Sequence, residues 1–438
     1  EAQTVTLAGT YRFTPQTVLS LSAAVGEMTQ DESLLPYTIN PGVPVRALPR
    51  DSLEGEVETK HVDVGITSRP WSFLRLKGVY RYDDRDNRTP VEQWTRTITD
   101  LFDSGESEAN HPYSYTRSKL ELSAAARLTN SDWLKAFEFE AGYDLTDMER
   151  TLQEVADSTE ETGWGRVRWR SGSATELTLR AGISRRDSDD DYDLTVALAN
   201  EQNPLLRKYN LAYRYRQFAQ LNARFGLFGL PVTVGGEAYY ASDDYTESPL
   251  GLRKNDDRRF AADLTWAVND HTSVYLQGGY EDQELASFNS ETFGSADWNS
   301  QQQDIFHTLD TGVRFADPAK PFDASLSFRY AKGTSEIDVA SNFSGSGAYP
   351  NLKTDLIGGE LDVGYHLNSR TELRFTLRYE DYSSSDWALE GVEPATIPNV
   401  LTLGADPDNY DVYLAILSIR YSFGRVGTVV LDSEPAKE

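Results

Sequence analysis

The chain has 438 residues, a formal charge of −27 and no cysteine. Without thiols it forms no disulfide, thiolate metal site, cysteine nucleophile or covalent c-type haem attachment, and its acidity would repel nucleic acid, so no nucleic-acid partner is expected. No apolar run approaches the ~20 residues of a spanning helix, which leaves strands, whose alternating residues average out in a hydropathy scan, as the way to cross a membrane.

Strict alternation recurs along the chain. In residues 71–83, Leu74, Leu76, Tyr80 and Tyr82 oppose Arg75, Lys77 and Arg81. In 174–186, Leu177, Leu179, Ala181 and Ile183 oppose Glu176, Thr178, Arg180 and Ser184. In 271–281, Val274, Leu276, Gly278 and Tyr280 oppose Ser273, Tyr275, Gln277 and Gly279. In 371–382, Leu373, Phe375, Leu377 and Tyr379 oppose Glu372, Arg374, Thr376, Arg378 and Glu380. Period two places each apolar set on one side of a sheet. Runs of about 10–14 residues suit tilted transmembrane strands; strands of soluble domains are mostly nearer five or six. The pattern predicts about 17 strands and an all-β fold, a large antiparallel transmembrane β-barrel.

The connections alternate short and long. Short ones are expected at Thr14-Pro15-Gln16, Arg69-Pro70, Ser171-Gly172-Ser173, Asn269-Asp270 and Asn368-Ser369-Arg370. Long ones, rich in Asp, Ser, Asn, Gly and Pro, are expected at 31–52, 84–112, 188–206, 285–301, 338–353 and 385–410. Tight periplasmic turns opposite extended external loops are the outer-membrane arrangement. Trp71, Trp133 and Trp266 fall beside short turns, where an aromatic girdle meets the membrane interface. The first connection is short, so the strand at 4–13 is expected to run from outside to periplasm, with an odd number of strands before it; the barrel then has an even total. Residues 1–424 are read as barrel. The last strand, 411–423, ends on Phe423, and 425–438 is read as a periplasmic tail.

Charges at mid-membrane depth are too costly to face lipid, so Arg75, Lys77, Arg81, Arg180, Arg329, Arg374, Arg378 and Arg420, with Glu176, Glu372 and Glu380, are expected to face a lumen. That lumen holds water or another protein. Strands ~4.8 Å apart and tilted ~40° give a backbone diameter of roughly 35 Å for seventeen and roughly 50 Å for 26.

Little in the chain suggests catalysis. Its five histidines form no metal-spaced pair, and G-x-S-x-G, P-loop and dinucleotide motifs are missing. Asp270-His271 are adjacent, yet at an expected periplasmic turn. The acidic stretches 83–87 and 187–193 cluster oxygens that a hard cation such as Ca²⁺ can use, although neither is an EF-hand loop; solvated external loops are the plainer reading.

One distinctive run goes from Thr67-Ser68-Arg69-Pro70 through Leu74-Arg75-Leu76-Lys77 to Tyr80-Arg81-Tyr82-Asp83-Asp84-Arg85-Asp86-Asn87-Arg88-Thr89-Pro90. Others are Met28-Thr29-Gln30, Leu35-Pro36-Tyr37-Thr38, Pro112-Tyr113-Ser114-Tyr115 and Asn203-Pro204-Leu205-Leu206-Arg207-Lys208-Tyr209-Asn210-Leu211-Ala212. These segments, the first most specifically, resemble the MtrB/PioB family of decahaem-cytochrome-associated outer-membrane barrels. The resemblance implies a barrel of ~26 strands, of which this chain is the C-terminal part. It implies a sheath around a periplasmic multihaem (decahaem-type) cytochrome that meets an outer-surface multihaem cytochrome, so that electrons cross the membrane. Haem c then belongs to the partner, and this chain binds none. Membrane lipid and lipopolysaccharide surround it. The lumen-facing residues expected to contact the partner are Arg75, Lys77, Arg81, Arg180, Arg214, Arg216, Arg329, Arg374 and Arg378. Two other classes compete: a solute porin with an aqueous lumen, and a soluble multi-sheet adhesin or interaction module.

Overall fold

The computed structural model describes residues 1–38, 46–99, 102–127, 133–172, 175–188, 192–199, 202–227, 229–342, 345–388 and 409–423. The expected tail, 425–438, lies outside them. In chain order the strands are β1 (Ala2–Thr14), β2 (Thr17–Gln30), β3 (Gly55–Trp71), β4 (Leu74–Asn87), β5 (Gln93–Thr99), β6 (Phe102–Ala109), β7 (Tyr115–Arg127), β8 (Phe137–Arg150), β9 (Asp157–Ser171) and β10 (Thr175–Ser188). There follow β11 (Arg214–Gly226), β12 (Val232–Asp244), β13 (Gly251–Asn269), β14 (Thr272–Asn289), β15 (Trp298–Ala316), β16 (Phe322–Ser341), β17 (Gly347–Ala348), β18 (Leu352–Asn368), β19 (Thr371–Ser385) and β20 (Tyr410–Tyr421). A short α-helix, α1 (Leu194–Ala199), lies between β10 and β11.

All but β5 and β6 join one 18-stranded antiparallel sheet, and β5–β6 form a separate hairpin. Apart from the two-residue β17, which touches only β16, the sheet is an uninterrupted up-and-down meander of seventeen strands, as the alternation predicts. β1 and β20 pair on one side only, and their residues are exposed throughout. A bilayer offers an unpaired backbone no water, so both edges need partners in the membrane.

The register carries each face across the sheet without a break. The row Arg75–Ala125–Glu140–Arg166–Arg180–Gln220–Tyr239–Arg259 links β4 to β13. On the opposite face, Leu179 pairs with Leu221 and Val167, and Leu264 with Leu276 and Val234. On the charged face even small residues are covered, with Val79 at 6% exposure and Ala125 at 5%; on the apolar face Leu179 stays 48% exposed and Ile183 54%. Side chains inside a curved sheet converge and shade one another, so the charged face is the inner one.

The apolar face is bounded by aromatics. Trp71, Trp133 and Trp266 are exposed near the turns, with Trp71 stacked on Phe73 at 6.0 Å and Trp133 edge-on to Phe137 at 6.0 Å. Farther out lie Tyr280, paired with Phe260, and Tyr379, 4.7 Å from Tyr413. From Phe322 to Tyr330 the strand advances about eight residues, roughly 20 Å at ~3.3 Å per residue and ~40° tilt, near the ~25 Å apolar band of outer-membrane barrels.

Two expectations need correction. The turn expected at Arg69-Pro70 falls at Ser72-Phe73, because β3 runs on to Trp71. The register shifts between Ser68 and Trp71, so Pro70 sits where its missing N–H interrupts no ladder bond, and Trp71 moves to the outer face opposite Leu74. The loops expected at 285–301 and 338–353 are about half strand, and the one expected at 84–112 is mostly strand, holding the end of β4 and the β5–β6 hairpin: β13 to β16 are 18 to 20 residues long and extend past the apolar band as a collar. There the outer face is also charged, as with Lys254 and Asp256, 2.6 Å apart. Hydrophobic alternation vanishes where both faces meet water, although the backbone ladder continues.

Leu179→Arg places a cation at mid-depth against lipid and is expected to cost ~2–4 kcal/mol of folding stability, whereas Thr178→Arg on the inner face is tolerated. Refolding yields in lipid vesicles, read by heat-modifiable gel mobility, test this; equal yields would mean the faces are assigned wrongly.

Candidate functional site: the charged inner face

Each of the nine predicted lumen residues lies on the inner face. Most are held by carboxylates on their own strand or one or two strands away, at positions the register brings close. Arg81 bonds Asp63 at 3.0 Å and Glu121 at 2.9 Å. Arg75 lies 3.7 Å from Glu138, and Arg214 2.7 Å from Glu160. Arg216 grips Asp243 with two bonds of 2.5 and 2.6 Å, burying that carboxylate almost completely. Arg329 reaches Asp310 at 3.2 Å, Arg378 reaches Glu380 at 2.5 Å, and Arg374 joins Glu372, Asp323 and Asp362. Such bidentate and networked arginines form a rigid polar lining.

Two of the nine stand apart. Among the described residues Lys77 has no carboxylate within 4.0 Å. Arg180 has none either: its guanidinium lies 4.6 Å from the Trp164 ring centre and 5.5 Å from that of Phe218. Trp164 in turn donates to Asp144 at 3.2 Å. Both rings lie where Cβ atoms on Gly142 and Gly182 would collide with them, so these glycines make room for the aromatic bed. Trp164 and Phe218 went unnoticed in the sequence because an aromatic at a polar alternation position looks like noise; the glycines beside them are the available signal.

The external loops are built as well. Between β8 and β9, β10 and β11, and β12 and β13 they share a small core in which Val155, Leu211, Ala212, Tyr245 and Leu250 are buried. Glu154, 1% exposed, pairs with Lys208 at 2.6 Å. Arg207 lies 3.8 Å over the Tyr192 ring, and burial together with the Glu154 charge pushes the Tyr192 hydroxyl up to about 12. Arg186, on the inner face, donates to the carbonyls of Ala212 and Tyr209, so this unit is tied to the inner side of the wall. Nearby, the Thr95 amide donates to the Tyr37 hydroxyl at 3.0 Å, seating β5–β6 on the loop after β2.

Residues 83–87 are strand, so the carboxylates of Asp83 and Asp84 point to opposite faces. Asp83 is held by His61 at 2.7 Å and Arg117 at 2.8 Å, and Asp84 by Lys60 at 3.2 Å. Of the second acidic stretch, 189–191 lie outside the described residues. Among the described residues no group of three or more His, Asp or Glu is arranged to hold a metal ion. His271 sits in the β13–β14 turn, 3.8 Å from Asp317.

Residues 1–423 match the family described as outer membrane beta-barrel porin, MtrB/PioB. The chain belongs to this family. It is 27% identical to outer membrane protein MtrB of Shewanella baltica over 96% of this chain and 58% of that protein; it thus spans a little over half of its relative's length. Among solved structures it is similar to the copper transporter OprC (TM-score 0.52, 10% identity, 96% of this chain and 71% of that one). A mutant of the ferric enterobactin receptor PfeA from Pseudomonas aeruginosa is also similar (TM-score 0.51, 9% identity, 97% and 70%). These likenesses carry the fold alone: a large outer-membrane barrel. The MtrB/PioB protein described here is therefore an outer-membrane, porin-like barrel chain. Its family-like segments have local physical jobs. The run 80–90 ties β4 to β3 and β7 through ion pairs, and 203–212 supplies the core and the Lys208 of the external unit.

Lys208→Met leaves the Glu154 carboxylate buried and unpaired, a change expected to cost the low end of ~3–5 kcal/mol because Lys208 is itself partly exposed. Limited proteolysis of intact cells should then cleave within 192–213, and adding Glu154→Gln should restore most of the protection. Unchanged protection in the single variant would refute the buried pair as the loop's anchor.

Proposed function

We propose that this chain forms part of the wall of a barrel that sheathes a periplasmic decahaem-type c-type cytochrome and holds it for electron transfer to or from an outer-surface multihaem cytochrome. The observation that carries this reading is the inner face: a sheet of seventeen strands whose inner side, from β4 to β19, carries a largely pre-paired charged lining, as a wall does around a folded protein. Family membership supports it. The free edges β1 and β20 are paired by further strands, and closure at ~26 strands gives a lumen of roughly 50 Å backbone diameter, which suits a protein occupant. The chain has no cysteine to attach haem, so the partner carries the redox groups and their axial ligands. The wall excludes lipid and water from them and performs no catalysis of its own. A solute porin is the second reading, favoured by the external unit tied inward through Arg186.

The test is a visible absorption spectrum of the native full-length protein, gently purified from outer membranes in detergent. Sharp reduced c-type bands co-eluting with this haem-free chain are expected. A colourless preparation that conducts ions in planar bilayers would replace the sheath by a porin.

A further inference from the structure

The inner face is divided into sectors by charge. Following the register, its positions on β4 and β7 to β11 carry sixteen Lys or Arg against seven Asp or Glu. From β12 to β20 the same face carries six Arg against twelve Asp or Glu. On β1 and β2 it is nearly uncharged, with Thr4, Thr6, Ser20 and Ser22 among its residues. A positive arc inside a chain of net charge −27 is not a by-product of composition.

Local ion pairs cancel most of these charges. Among the described residues, Lys77, Arg180 and Arg224 of the positive arc lie within 4.0 Å of no carboxylate, and Asp144 there of no base; Glu237, Asp263 and Glu360 of the negative arc lie within 4.0 Å of no base, and Arg314 and Arg420 there of no carboxylate. The sign reverses at one place. Arg224 pairs in register with Gly235, and Gly235 with Asp263. The Asp263 carboxylate lies over the glycine, where a Cβ would strike it. Arg224, Glu237, Asp263 and Gln277 line one groove there. Opposite charges thus face the lumen across a glycine gap without meeting each other.

We propose that this face fixes the rotational setting of the protein in the lumen: the occupant turns an acidic flank to β4–β11 and a basic flank to β12–β20, and an opposite-charge pair of its own enters the Arg224–Asp263 groove. The proposal rests on the sheath reading and goes beyond it by giving the occupant's surface a charge pattern and a single orientation. Complementary fields steer and register partners in this way, and a fixed orientation keeps the distances between redox groups inside and outside constant.

The experiment uses the full-length protein in native outer membranes, with a photo-crosslinking amino acid at Ser123 or Thr178 in the positive arc and at Ser325 or Ser327 in the negative arc. These are uncharged inner-face positions, so the lining keeps its charges. Expected are occupant peptides of net negative charge from the first two sites and net positive charge from the second two, with no peptide in common. The same peptides from both arcs, or no charge bias, would overturn the orientation while the captured protein upholds the sheath. Capture of no protein from any site, with an uncoloured preparation, would overturn the sheath reading and this one with it.

Discussion

A polypeptide inside hydrocarbon has to satisfy every backbone N–H and C=O internally and keep its charges off the lipid. The meander answers the first demand everywhere except along β1 and β20. Alternation answers the second: with period two, one face is apolar and the other free to carry charge. Once the register is set, side chains from neighbouring strands are brought close enough to pair, and the ion-pair lattice follows from the backbone ladder. The inner face is thus a consequence of the membrane constraint before it is a device for anything else.

That constraint decides what could be read from the sequence. The four best alternating segments are strands, and the nine expected lumen residues share a face, because each rests on the same two-residue period. The collar did not show, since above the membrane both faces are polar and only hydrogen bonding marks the strand. The turn after β3 was displaced because Pro70 signals a break, whereas the register shift at Ser68–Trp71 absorbs it. The external core of Val155, Leu211 and Tyr245 is assembled from three loops far apart in sequence, and no local pattern announces it.

The lattice also separates two kinds of charge. Arg216 with Asp243, or Arg374 with its three carboxylates, is already satisfied; removing one partner would chiefly harm the wall, and such a residue has little left to offer a ligand. Lys77, Arg180, Arg224, Glu237, Asp263 and Glu360 retain unused capacity. Arg180 is the clearest case: Trp164 and Phe218 hold its guanidinium by stacking, which limits the entropy lost on contact and leaves its hydrogen-bond donors free. Aromatic-bedded arginines of this kind are common among the residues that dominate protein interfaces.

The two edges fit the same logic. On the inner side β1 offers threonine and alanine, and β20 offers Val412, Leu414 and Ile416; each has a single arginine, Arg12 or Arg420, near its turn end. A charged residue on an edge strand has neighbours on one side only, so half of the carboxylates or guanidiniums that would neutralise it are missing from this chain. Keeping both edges nearly neutral confines the lattice to strands whose partners on both sides are present here. The pairs inside the sheet can then form without help from whatever β1 and β20 meet, and the two edges ask of a partner backbone hydrogen bonds and little else.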